Sequence, residues 1–161
     1  MTNFPTKLAT LSLLLLISSC GENYGERVLE RHPDGSRKSQ GYLNEIGKNG
    51  TWTTWYEGGG AKRSEGHYKD GKLESLYTYW HDNGQKRSEG HYKDGKPDGL
   101  YTYWHENGQK KEEGHYKDGK KEGLWTDYWH ENGQKALEGN FKDSKKEGLN
   151  HNGLDRQKQA Q

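Results

Sequence analysis

The stretch Glu89-Gly-His-Tyr-Lys-Asp-Gly-Lys-Pro-Asp-Gly-Leu-Tyr-Thr-Tyr-Trp-His-Glu-Asn-Gly-Gln-Lys110 decides the fold of this chain. The same string recurs almost unchanged from Glu65 and Glu113, and weaker copies start near Gln40 and Glu138, so the copies start 24 or 25 residues apart. A fixed period of this length indicates that each copy is one supersecondary unit stacked on its neighbours. The sequence therefore predicts a repeat protein.

Each copy carries two dipeptides that favour tight turns. Asn, Asp and Gly tolerate the positive φ that both central residues of a type I′ turn require. The segments between them, such as 100–104, are rich in Tyr, Thr and Trp, which favour strands, and none has apolar residues at helical spacing. The turn pairs are Asp70-Gly71, Asn83-Gly84, Asp94-Gly95, Asn107-Gly108, Asp118-Gly119 and Asn132-Gly133. We predict an all-β fold, an elongated single-layer antiparallel β-meander of repeated β-hairpins with about ten short strands.

Two-residue loops at both dipeptides also predict the strand register. An Asn-Gly loop of this kind places Tyr77 opposite Gly90 and Trp80 opposite Arg87. The same rule at the Asp-Gly loop places Gly90 opposite Gly99. One face of the sheet then collects tyrosines and glycines, and Tyr rings cover the cross-strand glycines. The glycines are therefore interpreted as packing positions.

Composition argues against several classes of function. The chain has 161 residues, is 27% hydrophobic and 30% charged, and has a formal charge of +1. These values alone favour disorder, but 6 Trp, 11 Tyr and 2 Phe together with the turn pattern outweigh them. The near-zero charge argues against a nucleic-acid-binding groove. No nucleophile–base pair, zinc-ligand spacing or Walker-type loop is present, so we predict no enzymatic activity, no cofactor and no metal.

The N-terminus has the features of a targeting segment. Residues 8–17 form an apolar run that is too short to span a bilayer. The residues Ile17-Ser18-Ser19-Cys20 resemble a bacterial lipobox, which implies cleavage before Cys20 and lipidation of its sulfur. Several acyl chains would anchor the protein stably. The alternative is an ordinary secretory signal with an incidental cysteine.

The targeting segment and the repeats together predict the organisation of the chain. Gly21 follows the cysteine, where Asp would favour retention in the inner membrane, so we expect the bacterial cell envelope, and the outer membrane in a Gram-negative host. The predicted segments are a lipoprotein signal peptide (1–19), the lipidated Cys20 with a short tether (20–29), the repeats (30–153) and a polar tail (154–161).

The repeat consensus is similar to the MORN-repeat variant. Its pattern Glu-Gly-x-Tyr-Lys-Asp-Gly-Lys-x-x-Gly-Leu, followed by the Glu-Asn-Gly-Gln-Lys turn, matches best from Glu65 to Lys135. Proteins built from this variant often resemble the YwqK-type antitoxin family. The resemblance implies a twisted β-hairpin array that binds another macromolecule and has no catalytic residues. The lipobox departs from a cytosolic antitoxin.

We predict a lipid-anchored, non-catalytic scaffold that binds a protein partner through its aromatic face or a sheet edge. The same aromatic residues are needed for folding, so packing of a thin sheet is the competing interpretation of that face. The candidate binding residues are Tyr77, Tyr79, Trp80, Tyr101, Tyr103, Trp104, Trp125, Tyr128 and Trp129. An antitoxin-like immunity role is a narrower version, and binding of cell-wall glycan is the alternative, because Trp and Tyr faces suit sugar rings.

Six histidines recur with the period of the repeat, in two series of three. The series are His67, His91, His115 and His81, His105, His130. Equivalent members lie two strands apart, roughly 9.6 Å. Zinc ligands lie only about 2.1 Å from the ion, so one series cannot share a metal, and we expect exposed strand positions.

Overall fold

The computed structural model describes residues 25–58 and 60–148. These residues form one 11-stranded antiparallel sheet in which each strand pairs with its sequence neighbour, which confirms the predicted all-β meander. The strands are β1 (Glu26–Arg31), β2 (Arg37–Leu43), β3 (Lys48–Trp55), β4 (Lys62–Lys69), β5 (Lys72–Trp80), β6 (Lys86–Lys93), β7 (Lys96–Trp104), β8 (Lys110–Lys117), β9 (Lys120–Tyr128), β10 (Lys135–Lys142) and β11 (Lys145–Glu147).

The sheet begins earlier in the chain than the sequence predicted. β1 starts at Glu26 and pairs with β2, so part of the segment 20–29 that was interpreted as a tether is a strand. The predicted signal peptide, Cys20 and the polar tail lie outside the described residues. Within the described part, the chain contains no helix of the length and apolarity that would cross a membrane.

The Asp-Gly turns have the predicted two-residue geometry. Asp94 has φ 51° and Gly95 has φ 80°, and the flanking residues Lys93 and Lys96 face each other. Asp70-Gly71 and Asp118-Gly119 repeat this arrangement. Positive φ at both central residues is what a type I′ turn requires.

The Asn-Gly turns are wider than predicted. The loop between β5 and β6 spans five residues, closed by a hydrogen bond from the His81 backbone N–H to the Gln85 carbonyl, and only Gly84 has a positive φ in it. The Asn83 side-chain oxygen accepts a hydrogen bond from the Gln85 backbone N–H at 2.9 Å. An Asn that bonds the backbone two residues ahead stabilises a local turn of its own, so the two-residue loop does not form. Asn107-Gly108 and Asn132-Gly133 also lie in wider loops.

A β-bulge follows each wide loop, so the strand register next to the loop differs from the predicted register. Trp80 faces Lys86 and Tyr79 faces Ser88, which leaves Arg87 as the extra residue. The prediction that Trp80 faces Arg87 is therefore wrong. Beyond the bulge the register is the predicted one, and Tyr77 faces Gly90. A bulge adds one residue to one strand and re-aims its side chain.

A second irregularity changes the pairing after each Asp-Gly turn. Gly90 faces Tyr101 and not Gly99, because Gly99 adopts φ 110° and shifts the register of β7. The side chain of Tyr101 consequently lies over Gly90, so closely that a Cβ at that glycine would lie 2.0 Å from the ring. The predicted packing of aromatic rings over glycines is confirmed, with Trp52 over Gly41 as a further example.

Candidate functional site

The two faces of the sheet differ in chemistry. We call the face that carries Tyr77, Tyr79, Tyr101 and Tyr103 the tyrosine face, and the face that carries Thr78, Thr102 and Thr126 the threonine face. Successive residues of a strand point to opposite faces, so the bulges and turns decide which side chains share a surface. The predicted binding residues are divided between the two faces and a turn.

Aromatic rings on the tyrosine face pack against each other in a continuous ladder. Tyr92 contacts Tyr77 at a centroid distance of 5.7 Å and Tyr101 at 6.1 Å, both with near-perpendicular rings. Tyr116 continues the ladder from Tyr101 to Trp125. Tyr101 is 5% exposed and Trp125 is 3% exposed. These two predicted binding residues therefore form the thin core of the sheet and offer little surface to a partner.

The threonine face carries the other predicted aromatic residues beneath lysine side chains. The ammonium groups of Lys62, Lys86 and Lys110 lie 5.8, 5.7 and 5.8 Å from the ring centroids of Trp80, Trp104 and Tyr128, respectively. Each of these lysines also bonds the glutamate three residues ahead, at 2.7, 2.6 and 2.6 Å. Charge on this face is therefore neutralised pair by pair, within each copy.

Trp129 occupies a turn and not a sheet face. Its backbone N–H bonds the Gln134 carbonyl, so it has the place that His105 has one copy earlier. The loop that Trp129 opens is one residue longer, because His105 bonds to Gln109 across five residues. Trp129 is 50% exposed. The additional residue of the fourth copy thus lies in this loop.

The bulges place basic side chains on the tyrosine face. Arg63, Arg87 and Lys111 are the extra residues of three successive bulges. The Arg63 guanidinium donates a hydrogen bond to the Tyr79 hydroxyl at 2.8 Å, and the Arg87 guanidinium lies 5.4 Å from the centroid of the same ring. A row of cations therefore runs along the array beside the tyrosines.

Two of these cations, Arg87 and Lys111, line a candidate site, which we call the turn-side groove. It is an open groove of about 810 Å³ at the Asn-Gly end of the tyrosine face, formed by three successive copies. The residues that define it are Tyr79, His81, Arg87, Tyr103, His105 and Lys111, with Trp104, Glu106 and His130 beside them. Of the predicted binding residues, Tyr79 and Tyr103 thus bring their rings together in one site. Trp104 also lines the site, where its carbonyl oxygen contacts His81, but its ring lies on the threonine face under Lys86. The other six lie elsewhere.

The histidines of the groove differ between copies. The Nε2 atom of His81 lies 3.2 Å from the Trp104 carbonyl oxygen, as His32 Nε2 lies 3.1 Å from that of Trp55. His105 Nε2 is buried and has no hydrogen-bond partner within the described residues, and its ring packs edge-on against His130 at 4.7 Å. Next to His105, the loop of the following copy (129–134) is one residue longer, and His105 lacks the contact to a carbonyl oxygen that His81 makes.

His67, His91 and His115 lie at exposed strand positions, as predicted. The same prediction is wrong for His81, His105 and His130, which lie in the wide loops. Across the described part of the chain, no three His, Cys, Asp or Glu side chains are arranged to hold a metal ion.

Burial and neighbouring charges shift the pKa values of two tyrosines of this face, Tyr79 and Tyr103, in opposite directions. Burial, reinforced by the hydrogen bond to Tyr116, raises the pKa of Tyr103 far above its ordinary value. Burial also acts to raise the pKa of Tyr79, but the hydrogen bond from Arg63 and the charge of Arg87 outweigh it and lower that pKa. The Tyr103 hydroxyl is therefore a neutral hydrogen-bonding group near pH 7.

Comparison with known families bears on the same part of the chain. Three consecutive segments match the family model of the MORN repeat variant. The matched repeats are residues 73–94, 97–118 and 121–143, which include every residue that lines the turn-side groove. MORN repeats are commonly involved in protein or membrane binding, and the family is typically non-catalytic. No curated protein matches the chain. Similarity to the YwqK-type family and the lipoprotein signal peptide stay predictions.

Sequence reasoning missed the basic residues and histidines of the groove. Arg87 and Lys111 each follow a lysine in the charged segment after the Asn-Gly turn, which was not among the predicted binding residues. The bulge inserts Arg87 beside Ser88 on the tyrosine face and leaves Lys86 on the threonine face, whereas strict alternation back from Ser88 would place Arg87 on the threonine face. The sequence signal that could have identified Arg87 and Lys111 is the second basic residue that follows Gln-Lys in both copies.

Proposed function

We propose that this chain is a lipid-anchored repeat protein of the bacterial cell envelope that binds another protein through the turn-side groove and catalyses no reaction. The observation that supports this most is the composition of the groove, in which Arg87 and Tyr103 lie beside Tyr79 on a surface built from three copies. Arg and Tyr are enriched among the residues that dominate protein–protein binding energy. The family match is consistent with this function at the coarser level of protein or membrane binding.

Site-specific photo-crosslinking in living cells tests the protein partner. The photoreactive residue p-benzoylphenylalanine replaces Lys111 in the groove or, as a matched control, Leu100, which is 49% exposed on the threonine face. A protein adduct from position 111 and none from position 100 is the expected result. An adduct from position 100 alone would assign binding to the threonine face. Absence of any protein adduct from both positions would overturn the protein-binding proposal.

The lipid anchor has a separate test. The lipobox-like residues before Cys20 support processing and acylation at that sulfur. Cys20→Ser should abolish labelling by radioactive palmitate and move the protein out of the membrane fraction. Membrane association that is unchanged in Cys20→Ser would reject the anchor without touching the binding proposal.

Binding of cell-wall glycan is the second candidate function, favoured by the aromatic lining of the groove. The ring of Tyr103 is half-buried and lies beside Tyr79 at the groove. Co-sedimentation with purified peptidoglycan, lost in Tyr103→Ala and absent with a non-aromatic repeat protein, would support it over a protein partner.

An immunity role is the narrower form of the protein-binding proposal. In that case, the crosslinked partner is a toxin, and the chain rescues cells that express it.

A further inference from the structure

The cations of the two faces differ in whether a carboxylate neutralises them. On the threonine face, Lys86 and Lys110 bond Glu89 and Glu113 at 2.6 Å. On the tyrosine face, the bulged Arg87 and Lys111 form no salt bridge with any residue of 25–58 or 60–148. Neighbours in sequence therefore have opposite electrostatic environments. Cations that outnumber the carboxylates of a groove produce a positive potential that attracts anions.

Carboxylates near the groove cancel this charge only in part. Glu106 is the one carboxylate that lines the groove, against the two cations Arg87 and Lys111. Glu112 on the same face is held by the ammonium group of Lys121, and Asp127 opposite Glu112 is shared among the charges of Lys111, Lys121 and Lys146. The position of Glu112 is occupied in the previous copy by Ser88, so no acidic row accompanies the basic one. The groove therefore retains an excess of positive charge, which Arg87 and Lys111 supply.

The location of the apolar surface argues for a peptide and against a lipid bilayer. Leu76, Leu100 and Leu124 are 42%, 49% and 50% exposed, and they follow the repeat along the threonine face. A surface that lies on a membrane needs its apolar and basic residues on the same side. Here the exposed leucines and the un-neutralised cations are on opposite faces of one sheet, whereas an acidic peptide requires only the basic face.

We propose that the turn-side groove binds an extended acidic segment of its protein partner, with successive carboxylates on Arg87 and Lys111. This inference rests on the proposed protein-binding function and specifies the chemistry of the partner. Arg87 and Lys111 are equivalent residues two strands apart, roughly 9.6 Å. An extended peptide rises about 3.3 Å per residue and its side chains alternate between two sides, so carboxylates two residues apart lie on the same side about 6.6 Å apart. The long side chains of Arg87, Lys111 and the acidic residues bridge the remaining distance of about 3 Å. The hydroxyls of Tyr79 and Tyr103 supply hydrogen bonds beside the two cations.

Fluorescence anisotropy with the full chain and fluorescein-labelled octaglutamate tests the proposal, because a continuous acidic run offers carboxylates in every register. The test variant is Arg87→Gln with Lys111→Gln. The matched control is Lys86→Gln with Lys110→Gln, which removes the same charge from adjacent residues of the same strands but from the threonine face. Octaglutamine is the uncharged probe. Far-UV circular dichroism establishes that both variants are folded.

The expected result is binding of octaglutamate that weakens about tenfold in the groove variant and less than twofold in the control. Binding should also weaken as salt rises from 50 to 500 mM, because screening reduces the attraction of exposed charges. Equal losses in the two variants, or equal binding of octaglutamine, would overturn the proposal. Binding to phosphatidylglycerol vesicles or polygalacturonate that depends on Arg87 and Lys111, without binding of octaglutamate, would overturn it in favour of a lipid or a glycan.

Failure of this inference is distinguishable from failure of the proposed function. If crosslinking from position 111 yields a protein adduct and the Arg87→Gln variant yields the same adduct in the same amount, the partner is a protein that does not depend on the basic row. If octaglutamate binds through the groove but no protein adduct forms in cells, the protein-binding proposal is wrong and the anion-binding surface stands.

Discussion

Replacing Gly90 by Ala should destabilise the sheet through the ring of Tyr101. A Cβ at position 90 would lie 2.0 Å from Cδ2 and 2.5 Å from Cε2 of that ring. Gly90 does not have a positive φ, so backbone strain does not contribute and the ring must move. A Tyr covers roughly 200 Å² when buried, and exposing about half of it costs about 2.5 kcal/mol at ~25 cal/mol per Å².

A double-mutant cycle isolates this contact. Urea unfolding is followed by Trp fluorescence and circular dichroism for Gly90→Ala, Tyr101→Ala and the double variant. We expect Gly90→Ala to cost about 2–3 kcal/mol in the native background. Without the ring it should be near neutral or stabilising by about 0.5 kcal/mol, because Ala restricts the unfolded backbone more than Gly does. The resulting coupling energy is about 2–3 kcal/mol.

The matched control is Gly139→Ala, at the same position of the last copy. There a Cβ would lie 2.7 Å from Cε of Lys146, a flexible side-chain end that moves without loss of buried area. The cost should stay within about 0.5 kcal/mol. A cost of Gly90→Ala that is unchanged in the Tyr101→Ala background would refute the ring-over-glycine explanation.

The remaining predictions concern a turn and a phenol. Asp118 has φ 49°, so Asp118→Ala should lower the free energy of unfolding, measured in urea, by about 1–2 kcal/mol. Asp82 lies in a wide loop and has no positive φ, so Asp82→Ala should change this free energy by no more than about 0.5 kcal/mol. Equal costs would contradict the type I′ assignment. The hydrogen bond to the Glu113 carboxylate raises the pKa of Tyr128 to about 12, and Glu113→Gln should return it toward 10, as read from the NMR titration of the Tyr128 ring. Because the folded-state pKa lies above the unfolded one, this bond stabilises the fold below pH 10 and loses its effect as pH rises toward 12, so Tyr128→Phe should lower the urea midpoint more at pH 9 than at pH 11.5.

The fold was predictable because its determinants are local. Asp94-Gly95 is compatible with the positive φ of a type I′ turn at both positions, and the Tyr- and Trp-rich segments favour strands regardless of their surroundings. The wide loop at Asn83-Gly84 was not predicted, because Asn-Gly also favours two-residue turns. The choice between the loops depends on the Asn83 side-chain hydrogen bond, which the dipeptide does not reveal.

The candidate site was only partly predictable, because its residues are selected by irregularities of the sheet. Tyr79 and Tyr103 were identified from their composition and spacing, and they do line the turn-side groove. Tyr101 and Trp125 have similar chemistry but are buried over glycines. The register shift in each Asp-Gly hairpin places Tyr101 opposite Gly90 and Trp125 over Gly114. All four residues lie on the same face, so the alternation of side chains along a strand cannot distinguish the groove residues Tyr79 and Tyr103 from the buried Tyr101 and Trp125.

By itself, the sequence determined the repeat, the strands, the Asp-Gly turns and the presence of an aromatic face, because these follow from local backbone preferences and a fixed period. The tertiary structure alone decided which cations lie on that face. A one-residue bulge after each wide loop sends Lys86 to a glutamate on one side and Arg87 to a tyrosine groove on the other. The physical reason is the two-residue period of a strand, in which a single extra residue exchanges the faces of the residues on its turn side relative to those beyond it, so that Lys86 and not Arg87 shares a face with Glu89.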